Sequence, residues 1–372
     1  MNNYIINTAT PHVKGYFRAC IYDFQRNTYD VVPKEFADFI NLVSKKSISE
    51  IKRETSAELL HFIEEYLNFG IQKEYILKIP SVIDQLNFPK IKFEYKTPSF
   101  ISNIILEIGN NLTSALENIK DILNKTNCFN IQIIIKSESE LDNVEKYLYE
   151  LANIGLRSIE LIIPYSNDFD YNNLLEKNPN ISFILIYSAP ETKLLKSHYY
   201  GIQQIFCSNK KFKYRSDKNF EDLNVNITLF SESKKYNSYF NRKLYIDEEG
   251  NIKNTPESTE IFANIYHLKK TDDIIEIINN AEFQKYWYVH KEMIDICKHC
   301  EFRYMCVDNR IPIKRSEKEW YNETECNYNP YIAKWKNEEG YKTLNESGVV
   351  SNQNGFTINR KKVHEINEVL WE

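Results

Sequence analysis

Cysteines concentrate in one stretch of the chain and constrain how that stretch can fold. Four of the seven cysteines lie between residues 297 and 326, namely Cys297, Cys300, Cys306 and Cys326. The C-x-x-C pair lets two thiolates approach one ion from a single turn of backbone, and a further pair can complete a four-thiolate shell. Thiolates are soft ligands, so the spacing predicts a zinc ion or an iron–sulfur cluster and does not choose between them.

Two other interpretations of these cysteines are reduced structural thiols and two disulfides. Small core thiols have no reason to cluster among Lys, His, Glu and Arg. The first residues, Met1 to Ile6, are too short and too polar a stretch for a signal peptide. A chain without an export signal is expected in the reducing cytoplasm, where disulfides are rare. We therefore predict a metal site and a cytoplasmic location.

Composition excludes two classes of partner. The net charge is −5 and the pI is near 5.9, so no basic excess is available to neutralise nucleic-acid phosphates. No apolar run reaches transmembrane length, which predicts no membrane partner. The 372 residues, with 26 Tyr and 21 Phe, leave room for two or three folded domains. The sequence does not determine the oligomeric state, and a homo-oligomer is possible.

The N-terminal part of the chain predicts a hairpin followed by three helices. Strands are expected over residues 16–24 and 28–32, and Ser47 with Glu50 has the form of a capping box. The other predicted elements are helices over 34–43 and 56–68, the second ending at Gly70, and a strand over 74–79. This order resembles the winged-helix recognition element of pathways for ribosomally synthesised and post-translationally modified peptides (RiPPs). Such modules bind a peptide as an added edge strand.

Buried strands alternate with helices from about residue 99 onward. Short apolar runs predict strands over residues 101–108, 130–135, 158–164, 181–187, 202–207 and 226–230. Helices are expected between them over residues 113–124, 138–154, 171–177 and 191–198. A spacing of about 25 residues per unit indicates right-handed βαβ repeats and a partial (β/α) barrel. The predicted fold class is therefore α/β.

The cysteine-rich stretch also carries a family resemblance. Its sequence is Cys297-Lys-His-Cys300-Glu-Phe-Arg-Tyr-Met-Cys306-Val-Asp-Asn-Arg310, and it is followed by Cys326-Asn-Tyr-Asn-Pro-Tyr331. Upstream, residues 243–253 read as a hairpin with its turn at Glu249-Gly250, and a helix is expected over 273–278. Together these features resemble a SPASM domain, the C-terminal auxiliary-cluster domain of radical SAM peptide-modifying enzymes. More narrowly, they resemble the SPASM-domain peptide maturases of grasp-with-spasm (graspetide-type RiPP) clusters, which accompany an ATP-grasp ligase and a precursor peptide.

Two departures limit what the resemblance implies. Asn254-Thr255-Pro256 and Asn309 stand where full SPASM domains usually carry further cysteines, so we expect one metal site and not two. Radical SAM enzymes also hold a reducing cluster with a C-x3-C-x2-C motif near the N-terminus. The remaining cysteines, Cys20, Cys128 and Cys207, are too widely separated to supply that motif. The sequence therefore predicts no S-adenosylmethionine cleavage.

The resemblances imply four segments along the chain. Residues 1–97 form the winged-helix-like module, 98–239 a partial barrel resembling a degenerate radical SAM domain, 240–336 the SPASM domain, and 337–372 a tail with a terminal helix. The candidate peptide-binding region runs from Tyr16 to Ile79, and the alternative is an N-terminal cap packed on the next domain. Arg303 and Arg310 are expected to offset the negative charge of the thiolate shell.

The resemblance implies an accessory role in RiPP maturation. The protein would bind the precursor peptide and assist the ATP-grasp ligase, with an auxiliary [4Fe–4S] cluster or, alternatively, Zn²⁺ at the four cysteines. We assign no catalytic residue, because Cys207 at a strand end reads as a core thiol and His290 and His299 are superfluous as ligands beside four thiols. The alternatives are a peptide-modifying enzyme that uses the SPASM cluster directly and a zinc-ribbon-like interaction protein.

Overall fold

The computed structural model describes residues 4–79, 88–109, 112–196, 203–214, 220–268 and 272–371. The chain divides into two compact units. Unit 1 comprises Met1–Tyr95, Asp217–Ser238 and Val289–Glu372, and unit 2 comprises Lys96–Ser216 and Tyr239–Tyr288. Among the helices of the described residues, none is long and apolar enough to cross a membrane.

The elements are numbered in chain order. The strands are β1 (Tyr4–Ile6), β2 (His12–Lys14), β3 (Arg18–Asp23), β4 (Thr28–Pro33), β5 (Ile76–Lys78), β6 (Asn103–Ile108), β7 (Asn130–Ile135), β8 (Ser158–Pro164), β9 (Ile181–Tyr187), β10 (Lys193–Lys196), β11 (Gln204–Cys207), β12 (Lys243–Ile246), β13 (Asn251–Lys253), β14 (Ala263–Asn264), β15 (Ile313–Lys314), β16 (Trp320–Tyr321), β17 (Tyr328–Asn329), β18 (Lys334–Trp335), β19 (Val349–Asn352) and β20 (Gly355–Ile358). The α-helices are α1 (Lys34–Val43), α2 (Ile48–Glu54), α3 (Leu60–Gln72), α4 (Leu112–Thr126), α5 (Val144–Leu151), α6 (Tyr171–Lys177), α7 (Ile227–Ser233), α8 (Asp272–Asn279) and α9 (Arg360–Trp371).

The N-terminal part of unit 1 confirms the predicted hairpin and helices. Strands β2, β3 and β4 form an antiparallel sheet, and β5 pairs with β1. Helix α1 buries Phe36, Phe39 and Ile40 because they fall on one helical face. That face packs with Ala19 and Ile21 of β3 in one hydrophobic cluster. The sheet and α1 therefore share a small core.

The prediction that Gly70 ends the third helix is wrong, because α3 continues through Gly70 to Gln72. A Cβ atom at Gly70 would lie 2.7 Å from Cδ1 of Ile76, a side chain of β5. The glycine thus gives the strand room to pack on the helix. It tolerates the helical conformation at a cost of about 1 kcal/mol relative to Ala.

Ser47 is confirmed as the first residue of a capping box on α2. Its Oγ accepts the N–H of Glu50 at 3.3 Å, and Oε2 of Glu50 accepts the N–H of Ser47 at 2.8 Å. We expect Ser47→Ala to lower the free energy of unfolding by about 1 kcal/mol in urea titrations. Ser56→Ala is the matched control, because Ser56 precedes a short 3₁₀-helix without a side-chain cap bond. Equal losses for the two variants would contradict this role of Ser47.

Unit 2 is built on one mixed sheet with strand order β10-β11-β9-β8-β7-β6-β12-β13-β14. Its strands β6, β7, β8, β9, β11 and β12 run parallel, which confirms the α/β class, and five of the six apolar runs predicted as strands lie in this sheet. Consecutive strands from β6 to β9 are neighbours, as a series of βαβ units requires. Their side chains fill the largest hydrophobic cluster of the unit.

Two predicted elements have the wrong type. A helix is predicted over residues 191–198, but residues 193–196 form β10, an edge strand antiparallel to β11. Positions 197 and 198 of this segment, and position 202 of the next predicted strand, lie outside the described residues. The predicted strand over 226–230 is helix α7, because the side chain of Asn226 accepts the N–H groups of Thr228 and Leu229 and caps a helix. Short apolar runs do not separate strand from helix by periodicity alone.

The hairpin predicted around Gly250 is confirmed, and it belongs to the sheet of unit 2. Strands β12 and β13 pair across a turn in which Gly250 has a φ of +81°. Strand β12 also pairs with β6. The hairpin therefore falls in a different unit from the four clustered cysteines, and the two units divide the chain differently from the four predicted segments.

Candidate metal centre

The four predicted cysteines line one cavity of about 230 Å³ in unit 1. Cys297 begins a 3₁₀ turn, and the N–H of Cys300 closes that turn by donating to the C=O of Cys297 at 3.0 Å. Cys306 and Cys326 reach the same cavity from segments without regular structure. All four thiols are free, so the structure does not bear out the disulfide interpretation.

The thiols border a common space without meeting at one point. Within the described ranges, no three His, Cys, Asp or Glu side chains form a group that could hold a metal ion. A single zinc would need each sulfur about 2.3 Å from the same ion. A cluster places iron and sulfide atoms between the thiolates and therefore needs a cavity. Four thiols that line one cavity are the donor set that a [4Fe–4S] cluster uses.

Two hydrogen-bond donors point at the sulfur atoms. The backbone N–H of Phe302 donates to Sγ of Cys300 at 3.4 Å. Nδ2 of Asn322 donates to Sγ of Cys297 at 3.9 Å. Donors of this kind stabilise thiolate charge and tune the potential of a cluster.

A buried charge network adjoins the thiols and carries a positive excess. Nζ of Lys291 lies 3.0 Å from Oδ2 of Asp308, and both side chains are at most 3% exposed. Arg310 contacts the same carboxylate, with Nη2 at 2.7 Å from Oδ2. Two cations share one anion, so one positive charge is left to offset a negative group in the cavity. Four thiolates around zinc or a cluster supply such a charge.

Both predicted arginines line the cavity. Nη1 of Arg310 also donates to the C=O of Thr324 at 2.7 Å. Nη1 of Arg303 donates to the C=O of Cys300 and to the C=O of Lys14, each at 2.9 Å. Arg303 therefore fixes the backbone of the C-x-x-C turn, and Arg310 supplies charge. Their role beside a metal stays a prediction.

Burial raises the pKa of three of the four thiols and so favours their protonated form when no metal is bound. It raises the pKa of Cys306 to about 12, and it raises the pKa of Cys297 and of Cys300 as well. Lys291 acts in the opposite direction on Cys297 and Cys306, because its positive charge favours their thiolates. A metal would therefore displace protons on binding, which makes loading dependent on pH.

Glu301 ties the C-x-x-C turn to the N-terminal sheet. Its side chain is fully buried, and Oε1 lies 2.7 Å from Nε of Arg18 on β3. Tyr328 donates its hydroxyl to the same oxygen. The hydroxyl of Tyr22, also on β3, donates to the backbone C=O of Glu301 at 2.7 Å. Strand β3 and the C-x-x-C turn thus pack together around the ion pair of Arg18 and Glu301.

Aromatic side chains surround the C-x-x-C turn. Phe302, Tyr304 and Trp335 belong to one hydrophobic cluster, against which Cys300 and Cys326 pack. His299 does not line the cavity, since its ring stacks on Phe356 at 5.7 Å between centroids. These contacts agree with a packing role for the rings and give no ligand role to His299.

The strand ends of unit 2 hold an ion pair and a core thiol. Nζ of Lys136 lies 2.8 Å from Oε2 of buried Glu107, and Tyr214 donates its hydroxyl to Oε1 of the same carboxylate. Cys207 is 5% exposed within the main hydrophobic cluster, and burial raises its pKa. A raised pKa disfavours the thiolate, which agrees with the interpretation of Cys207 as a core thiol.

Sequence reasoning missed four residues of the centre, which are Lys291, Asp308, Glu301 and Asn322. Asp308 and Glu301 each follow a ligand-type cysteine within two positions, a spacing that could have flagged them. Nothing in the sequence indicates that Lys291 is buried or that Asn322 reaches Cys297.

Comparisons with known proteins give weak similarity, and no family model matches the chain. The eukaryotic translation initiation factor 2-alpha kinase PK4 of Plasmodium berghei (strain Anka) is 22% identical over 280 residues, which are 60% of this chain and 10% of the kinase. The chain thus spans about a tenth of that relative's length.

Two crystal structures of Streptococcus suis SuiB are similar to the chain, one bound to S-adenosylmethionine and the other to precursor peptide SuiA. Identities are 9% and 8%, and each alignment covers 82% of this chain and 94% of SuiB. The TM-score is 0.24 in both cases, which decides neither the fold nor the function of this chain.

Proposed function

We propose that this protein is an accessory protein of RiPP maturation that binds a precursor peptide and assists an ATP-grasp ligase. The observation that carries the proposal is the convergence of Cys297, Cys300, Cys306 and Cys326 on one cavity with a buried positive excess. This arrangement supports a metal centre at the residues that carry the SPASM resemblance. The series of parallel strands in unit 2 supports a partial barrel resembling a degenerate radical SAM domain.

The group at the centre is proposed to be a [4Fe–4S] cluster, with zinc as the alternative. When bound, a cluster supplies an electron-transfer centre or a structural crosslink between the four cysteines. The chain's own residues hold the thiols in place: Arg303 bonds the backbone at Cys300, and Asn322 donates to Cys297. Arg310 and Lys291 offset the charge of the thiolates.

Precursor binding is assigned to the N-terminal part of unit 1. The sheet and helices predicted between Tyr16 and Ile79 are present, and β3 contacts the C-x-x-C turn through Arg18 and Tyr22. A peptide bound there would affect the metal centre, because the N-terminal sheet and the metal centre are parts of one packed core. The alternative, a peptide-modifying enzyme, needs an open coordination position, and four thiols around one cluster leave none.

The test is co-purification of tagged protein with the precursor peptide and the ATP-grasp ligase of the same gene cluster, expressed together. We expect both to be retained and ligation yield to rise when the protein is present. Retention of neither would contradict the proposal. Conversion of the precursor without the ligase would support the enzyme alternative.

A further inference from the structure

Strands β19 and β20 form a hairpin whose two ends leave the rest of unit 1 at one point. Among the described strands, these two pair only with each other, in a two-stranded sheet. The N–H of Asn359 donates to the C=O of Gly348 at 2.8 Å and closes the base of the hairpin. Residues 352–355 form its tip. The hairpin is therefore joined to the protein through a narrow base.

The side chains of the hairpin are mostly exposed or half-buried. Within residues 349–358, all of which the structure describes, Val349 beside the base is the one buried residue. Val350 is 40% exposed, and Phe356 and Ile358 are half-buried. An isolated two-stranded hairpin is only marginally stable in water. Contacts beyond the base therefore decide how firmly this hairpin is held.

The hairpin forms one wall of the metal cavity. Three residues of β19 line the cavity together with the four clustered cysteines, namely Val349, Val350 and Ser351. On β20, the ring of Phe356 stacks on that of His299 at 5.7 Å between centroids, and Nζ of Lys298 lies 4.5 Å from the Phe356 centroid. Lys298 and His299 are the two residues between the cysteines of the C-x-x-C pair. Strand β20 thus packs on the turn that holds two of the thiols.

A buried carboxylate holds the tip of the hairpin through one arginine. Nη2 of Arg315 lies 2.7 Å from Oδ2 of Asp295, whose side chain is 1% exposed. The same guanidinium donates to the C=O of Asn352 at 2.6 Å and to the C=O of Gly355 at 3.3 Å. The hydroxyl of Ser351 donates to Oδ2 of Asp295 at 2.9 Å. Charge-assisted bonds of this kind are about twice as strong as neutral ones, so these contacts form a latch at the end opposite the base.

We propose that the hairpin is a flap that opens about its base to admit a metal ion or cluster to the four thiols. Arg315 and Asp295 hold the flap shut. When it is shut, the hairpin keeps solvent and oxidants from the thiols, and when it is open, β19 moves away and leaves a path from solvent. The inference goes beyond the proposed function, because it concerns access to the four cysteines and needs neither the precursor peptide nor the ligase.

The test measures the alkylation of each cysteine by iodoacetamide in protein purified without oxygen, with the labelled sites counted by peptide mass spectrometry. Arg315→Met removes the latch, and Lys298 remains as the counter-charge of Asp295, 3.3 Å from its Oδ1. We expect the four clustered cysteines to react about tenfold faster or more in this variant, because local opening exposes them. Cys20 and Cys128, which are fully buried elsewhere, should react at the wild-type rate.

Lys314→Met is the matched control, because Lys314 is the exposed neighbour of Arg315 in sequence. Equal rates for the clustered cysteines in the two variants would overturn the proposal. Faster reaction of Cys20 and Cys128 together with the clustered cysteines would also overturn it, because the hairpin would then open only with the whole fold.

Ser351→Ala is a milder test for the case in which Arg315→Met does not fold. It removes one hydrogen bond of the latch and leaves the ion pair of Arg315 and Asp295 in place. The four clustered cysteines should react about threefold faster than in the wild type, with Cys20 and Cys128 unchanged. Wild-type rates at every cysteine would contradict the latch.

The metal route has its own readout. In protein that carries metal, Arg315→Met should release it to excess EDTA about tenfold faster or more than Lys314→Met does. Equal release rates would show that metal does not pass by the hairpin and would overturn the proposed route.

Discussion

Cys306→Ala is expected to remove bound iron and sulfide and to lower the free energy of unfolding by several kcal/mol, on the order of what a structural metal contributes to a small folded region. Cys306 lines the cavity with the other three clustered cysteines, and three thiols cannot complete a four-thiolate shell. The buried Lys291 and Arg310 would also lose the negative charge that offsets them. Iron and sulfide assays and urea unfolding without oxygen measure both effects.

Cys128→Ala is the matched control for this loss. Cys128 is a buried thiol of the hydrophobic cluster of unit 2, so its removal leaves a small cavity and no empty ligand position. We expect a loss of about 1 kcal/mol and unchanged iron content. Full iron content in Cys306→Ala would show that this cysteine is not a ligand.

Arg18→Met is expected to lower the free energy of unfolding by about 3–5 kcal/mol, because it leaves the carboxylate of Glu301 buried without its cation. Glu301 is fully buried, and Arg18 is its basic partner at 2.7 Å. The carboxylate of Glu301 has little room to move, since a Cβ atom added at Gly15 would lie 2.6 Å from its Oε2. Thermal and urea unfolding of the purified protein measure the loss.

Two further variants separate the buried pair from an ordinary ion pair. Lys52→Met breaks the pair of Lys52 with Glu64, whose side chains are 39% and 64% exposed, and should cost no more than about 1 kcal/mol. The double variant Arg18→Met with Glu301→Gln should recover part of the loss, because it removes both charges. A loss from Arg18→Met as small as that from Lys52→Met would contradict the account of Glu301.

The parallel strands and the cysteine centre were the most predictable parts of the molecule. Strands buried on both faces give continuous apolar runs, so β7, β8 and β9 could be located within a residue. Ligand-type cysteines are revealed by spacing, because two thiols in C-x-x-C already share a turn.

Other features could not be predicted because they depend on partners distant in sequence. Glycine is a residue type that often ends a helix, but at position 70 its missing side chain makes room for Ile76. Asn226 caps a helix where its apolar neighbours suggested a strand. The pairing of Arg18 with Glu301 joins residues 283 positions apart, and neither residue type signals burial.

The most direct test of the account is the iron, zinc and acid-labile sulfide content of protein purified without oxygen, with a visible absorption spectrum. We expect about four iron and four sulfide per chain and a brown protein, because the four cysteines that line one cavity can supply the four thiolates of a [4Fe–4S] cluster. One zinc per chain without colour, or no metal at all, would contradict it.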